Sequence, residues 1–173
     1  MKKPKLLITV ITVTIGVFLL LFGIHQAVKP KKGALFESYI FEGSRLKIKV
    51  ESRHENGLLV WLPGAYYDYE AKRNDSDSWQ PIFTFYFDNP MKIPKEQIKE
   101  INEKVSYVFI GWMYSVTTDG GKTWSTWDAD KKQQCGFIQS VELGPEGQGT
   151  MNLYDRTGAT CQLYTTDFGK TWR

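Results

Sequence analysis

The sequence predicts a mainly β domain of antiparallel hairpins, with one short helix, behind a single N-terminal membrane helix. Three observations carry that reading. An uncharged apolar run lies close to the start, short alternating apolar segments separated by turn residues come after it, and one turn-like motif occurs twice, 48 residues apart.

The apolar run extends from Leu6 to Ile24, with Lys2, Lys3 and Lys5 before it and Lys29, Lys31 and Lys32 after it. As a helix it reaches roughly 28 Å, close to a hydrocarbon core of about 30 Å. A cleavable signal needs small residues before the cut, but "IHQA" puts His25 where one is wanted, and no cysteine comes after the run for lipidation. Residues 1–32 therefore read as an uncleaved signal anchor with basic flanks for lipid headgroups, and 33–173 as one β-rich extracytoplasmic domain.

The expected location is the bacterial inner membrane, single-pass, with the C-terminal domain in the periplasm. Flanking charge is nearly balanced and does not set that orientation. The two cysteines, Cys135 and Cys161, point to it, since an even count in an exported domain favours a disulfide. Closing that loop stabilises the fold by roughly 3.5 kcal/mol on a chain-entropy account. All six lysines of residues 1–32 are unopposed by acids, so the +3 total leaves about −3 on the domain. No nucleic-acid partner is implied by that balance.

Along the domain, "RLKIKVES" alternates, with Leu46, Ile48 and Val50 on one side and Lys47 and Lys49 on the other. Asn56-Gly57 is a hairpin signal. "AYYDYEAKR" and "PIFTFYFD" read as strands around the polar tract "NDSDSW". Pro94 followed by "KEQIKEINEK" predicts the helix, with Ile98, Ile101 and Val105 on one face. Beyond it, "VSYVFIGWMYSV", "GFIQSVEL", "TMNLYD" and "TCQLYTTD" read as further strands.

The repeated motif is "VTTDGGKTWSTWDA" at 116–129 and "YTTDFGKTWR" at 164–173, which aligns Thr117, Asp119, Gly121, Thr123 and Trp124 with Thr165, Asp167, Gly169, Thr171 and Trp172. An Asp side chain that accepts from nearby backbone N–H groups, a glycine free to take positive φ and threonines suited to flanking strands describe a turn. The tryptophans would fold back beneath it as apolar plugs. Both copies resemble the Asp-box, or bacterial neuraminidase repeat. That resemblance implies hairpin turns remote from any active site. Trp79 lies 45 residues before Trp124 and Trp172 lies 48 after it, a spacing suited to four-stranded propeller blades. "KRNDSDSW" reads as a degenerate third copy lacking the Asp and the Gly at their motif positions. Three such units suit a small sandwich or a propeller-like fragment. An N-terminal strand such as "LFESYIF" is the expected partner for the strand after the second box.

Chemistry is thinly represented. His25 and His54 are the only histidines, and His54 in "SRHENG" reads as an exposed turn residue. No catalytic residue, metal site or cofactor is expected. Sialidases use an arginine cluster, whereas Arg45, Arg53, Arg73 and Arg156 are scattered here. Trp61, Tyr66, Tyr67 and Tyr69 in "WLPGAYYDY" are the expected binding residues, of types common at interfaces and in sugar stacking. Small membrane-anchored β domains with such turns resemble immunity proteins of type VI secretion systems. That resemblance implies a non-catalytic inhibitor that captures an effector or lytic enzyme. The alternatives are a carbohydrate or peptidoglycan-binding module, and a small glycoside hydrolase with buried carboxylates.

Overall fold

The computed structural model describes residues 31–56, 64–131, 136–155 and 157–173. The apolar run 6–24, Trp61, Cys135 and Arg156 lie outside them. Among the described residues no helix is long and apolar enough to cross a membrane.

Among the described residues, eleven strands form three antiparallel meanders. The first sheet holds β1 (Lys31–Glu42), β2 (Lys47–Asn56), β3 (Ala65–Lys72) and β4 (Gln80–Phe87). The central sheet holds β5 (Ile98–Glu100), β6 (Ser106–Ile110), β7 (Met113–Thr117) and β8 (Ser125–Asp128). The third sheet holds β9 (Phe137–Leu143), β10 (Gly149–Tyr154) and β11 (Thr160–Thr165).

Burial explains the stacking. All five residues of β6 are buried, which a strand reaches only with both faces covered. Val108 and Ile110 pack with Ile48, Val50, Tyr67 and Tyr69 of the first sheet. Tyr107 and Phe109 pack with Val141, Met151 and Leu153 of the third. The Tyr107 hydroxyl also donates to the Val141 carbonyl at 2.8 Å, a polar tie between the central and third sheets. The central sheet is thus the middle layer of three, between two apolar cores.

The predicted helix after Pro94 is absent. Lys95–Gln97 make one 3-10 turn, and Ile98–Glu100 become the edge strand β5, pairing Ile98 with Val108. Ile98 and Val105 are buried, as an apolar face requires, but by a strand and a turn. Asn102 closes that turn by accepting from the Lys104 and Val105 N–H groups through Oδ1. Tertiary pairing with an otherwise uncovered β6 edge outweighs the modest helix propensity of the segment.

Two smaller expectations also change, and one holds. His54 lies within β2, half-buried, with its ring 4.8 Å from that of Phe36. β2 and β3 pair antiparallel, the hairpin that Asn56-Gly57 signals, while Gly57 itself lies outside the described residues. "LFESYIF" belongs to β1, paired with β2, and so does not complete the last hairpin.

Candidate functional site

The two repeated motifs are turns that begin at the end of the third strand of a sheet, β7 in one case and β11 in the other. In the first, Asp119 Oδ1 accepts from the N–H groups of Lys122 at 2.9 Å and Thr123 at 3.0 Å, and from the Thr117 hydroxyl at 2.8 Å. Its Oδ2 accepts from the Thr123 hydroxyl at 2.6 Å, while the Gly121 N–H donates to Thr117 Oγ1 at 2.8 Å. Asp167 repeats the set with Thr165, Thr171 and Gly169 at 2.7–3.0 Å. Burial alone would raise the Asp119 carboxyl, but the Thr123, Thr117 and Lys122 donors outweigh it and hold the group at about 2. Asp167 is lowered against the same opposing burial, chiefly by Thr171. Both carboxylates serve as structural acceptors that hold their turns closed.

The tryptophans show why the motif recurs. Trp124 packs against the core between the first and central sheets. Trp172 packs into the core between the central and third sheets, edge-on to Tyr114 with ring centres 5.4 Å apart. Each plugs one inter-sheet seam.

The degenerate third copy is matched by register. Ala71 pairs with Gln80, Val116 with Ser125, and Tyr164 bonds Arg173 through both backbone groups at 2.8 and 3.1 Å. The three pairs are offset by the same 45 and 48 residues as the tryptophans, and each frames an eight-residue connection. In the first sheet Trp79 is half-exposed, with the Lys49 and Lys72 ammonium groups each 5.0 Å from its ring centre, so cations cover it where a further sheet covers its counterparts.

The expected binding tyrosines divide. Tyr67 and Tyr69 are buried, 0% and 1% exposed, and are core residues rather than contact residues. The Tyr67 hydroxyl is consumed by Met91, donating to its carbonyl and accepting from its N–H, both at 2.7 Å. Tyr69 stacks on Phe83 with ring centres 4.7 Å apart, and burial pushes its hydroxyl far up. Tyr66 alone faces outward, tilted against Tyr86 at 5.0 Å. Alternation along β3 separates these rings to opposite faces.

A different aromatic cluster forms where all three sheets meet. Phe85 and Phe87 of β4, Trp112 of the β6–β7 turn and Phe137 of β9 are linked by ring contacts of 4.8–6.3 Å. They floor a cleft of about 640 Å³. Asp88, Asp128 and Asp130 stand on its rim, opposed by Lys131, whose ammonium lies 3.4 Å from Asp128. Asp88 and Asp130 are exposed and make no ion pair among the described residues. Gly111 permits this floor, because at φ +58° its hydrogen faces the Phe85 ring where a methyl group would overlap it. Sequence spacing hides the cluster, whose members come from three separate elements. Its one sequence signal is Gly111-Trp112 between two apolar strands.

Other candidates fall into place as structure. Arg53 pairs with Glu51 at 2.7 Å and Arg45 with Glu103 at 2.7 Å. Arg45 and Arg73 share a cavity of about 620 Å³ beside the first box, without a third arginine. No carboxylate is buried among the described residues, and they contain no group of three or more His, Cys, Asp or Glu able to hold a metal. Cys161 lies on β11 and is not a free thiol, while the other half of the expected pair, Cys135, is outside the described residues. No family model, no curated protein and no solved structure matches this chain.

Proposed function

We propose that this chain is a non-catalytic binding protein of the bacterial envelope, tethered to the inner membrane through residues 6–24, whose periplasmic domain captures a protein partner at the three-sheet junction. One observation carries the reading: the junction cleft joins an aromatic floor to a carboxylate rim. Aromatic faces and anions together favour a cation, so the occupant is a basic side chain presented by the partner. An inhibitor of a secreted effector or lytic enzyme works this way when it covers the enzyme, with no chemistry of its own. The hydrogen-bonded turns support kinship with Asp-box proteins, with the boxes as scaffold and the cleft as contact surface.

The test uses the full-length chain in detergent as bait for envelope-directed enzymes of its own cell and its competitors, followed by an activity assay of whatever enzyme is retained. One enzyme should bind and be inhibited. Asp88→Asn with Asp130→Asn should slow association and flatten its salt dependence, because rim charges act mainly on encounter. Unchanged association by the double variant refutes the cleft, and retention without inhibition refutes the inhibitor role. The Cys135–Cys161 disulfide belongs to the same proposal: alkylation without reductant should leave both cysteines unlabelled, and labelling of either removes the pair.

A further inference from the structure

The two outward faces of the three-layer stack differ in chemistry. On the first sheet, Lys49, Glu51, Arg53 and Glu70 are woven into ion pairs of 2.6–3.3 Å. On the third sheet, alternation turns Met151, Leu153 and Leu163 into the core and Asn152, Tyr154, Gln162 and Tyr164 outward. A bulge at Gln139 re-phases β9, pairing Ser140 with Asn152 and Ile138 with Leu153. Glu142 is the one carboxylate among the outward residues of these strands, and no lysine or arginine stands beside it. In a chain with 24% charged residues, so neutral a face is a departure from the rest of the surface.

The polar groups there are already ordered. The Tyr164 hydroxyl donates to Gln162 Oε1 at 2.5 Å, Gln162 Nε2 to Asn152 Oδ1 at 2.8 Å, and Asn152 Nδ2 to Ser140 Oγ at 2.9 Å. This head-to-tail chain crosses all three strands. It fixes both amides while leaving each a second N–H and a further lone pair for a ligand. A groove of about 400 Å³ runs beside it, lined by Gln139, Asn152, Thr160 and Gln162. Tyr154 and Tyr164 are 41% and 54% exposed, and Phe137 stacks on Tyr154 at 5.6 Å. Tyr164 lies across from Thr150, four residues from Tyr154 along β10, which places the two rings about 14 Å apart.

We infer that the outward face of the third sheet is a binding site for a neutral, N-acetylated glycan strand of the cell wall. Apolar faces of sugar rings stack on the tyrosines at either end. Hydroxyl and acetamido groups bond to the amides between them, which offer donors and acceptors in the same plane. A protein partner would need more apolar area than two tyrosines expose, and an anionic ligand finds no lysine or arginine on β9, β10 or β11, only Arg173 at the margin beside Tyr164. The site is separate from the junction cleft except at Phe137, and it stands whether or not that cleft takes a protein.

The experiment uses the full-length chain in nanodiscs with two probes: chitotetraose in solution, and purified peptidoglycan sacculi by co-sedimentation. Both should bind saturably. Tyr164→Ala and Gln162→Leu, exposed changes that leave the cores intact, should each weaken binding about tenfold. Asp88→Asn with Asp130→Asn should leave it unaltered, which separates this site from the cleft. Failure of the wild-type chain to bind either probe overturns the inference, as does full binding by both third-sheet variants. Binding of chitotetraose without sacculi overturns the assignment to the cell wall.

Discussion

At the residue scale, Asp119 shows how one carboxylate organises a turn. Its four hydrogen bonds satisfy two backbone N–H groups that the tight bend leaves without strand partners. Asp119→Ala should cost about 2 kcal/mol in denaturant unfolding, since both N–H groups lose their acceptor together. The same bonds give a pH signature. A carboxyl held at about 2 when folded, below its ordinary value, contributes stability that is complete above the unfolded pKa and is lost as pH falls towards 2. Unfolding midpoints followed from pH 5 to pH 2 should fall for the wild-type chain and fall less for Asp119→Asn. An equal fall in both would assign acid sensitivity to other groups. Trp172 is 7% exposed at the centre of the second seam, and Trp172→Ala should destabilise by about 3–5 kcal/mol.

At the element scale, the strands were legible in the sequence and the exceptions have physical reasons. Leu46, Ile48 and Val50 alternate inward as read, because β2 has one core-facing side. The segment after Pro94 has a helical pattern, but it pairs with β6, an outcome set by partners distant in sequence. Bulges explain another failure of local reading. Ile138 and Val141 are both buried although three residues apart, since Gln139 is an extra residue in β9. The contact tyrosines were unreadable for a related reason: alternation says that Tyr67 and Tyr69 share a face, but not that this face is the core. The junction aromatics come from β4, β9 and the β6–β7 turn, so only the folded register assembles them. At that turn, Gly111→Ala combines a strained φ with overlap onto Phe85 and should cost about 1–3 kcal/mol, with near-ultraviolet circular dichroism reporting the displaced ring.

At the scale of the whole molecule, three sheets share two cores, and the middle sheet belongs to both. Opening either seam exposes one side of β6, so its amides exchange only through the largest openings. Hydrogen exchange should be slowest in β6 and β7 and fastest in β1, an edge strand with Leu35, Phe36 and Ile40 exposed and two irregularities in its pairing. Equal protection of β1 and β6 would refute the layered order. The seams also differ in their plugs, Trp124 in one and Trp172 in the other, and neither indole N–H has a hydrogen-bond partner among the described residues. An indole kept from water emits to the blue and resists aqueous quenchers. With the remaining tryptophans changed to phenylalanine, each seam therefore carries its own optical gauge, and ligand binding at one end of the stack can be watched for loosening at the other.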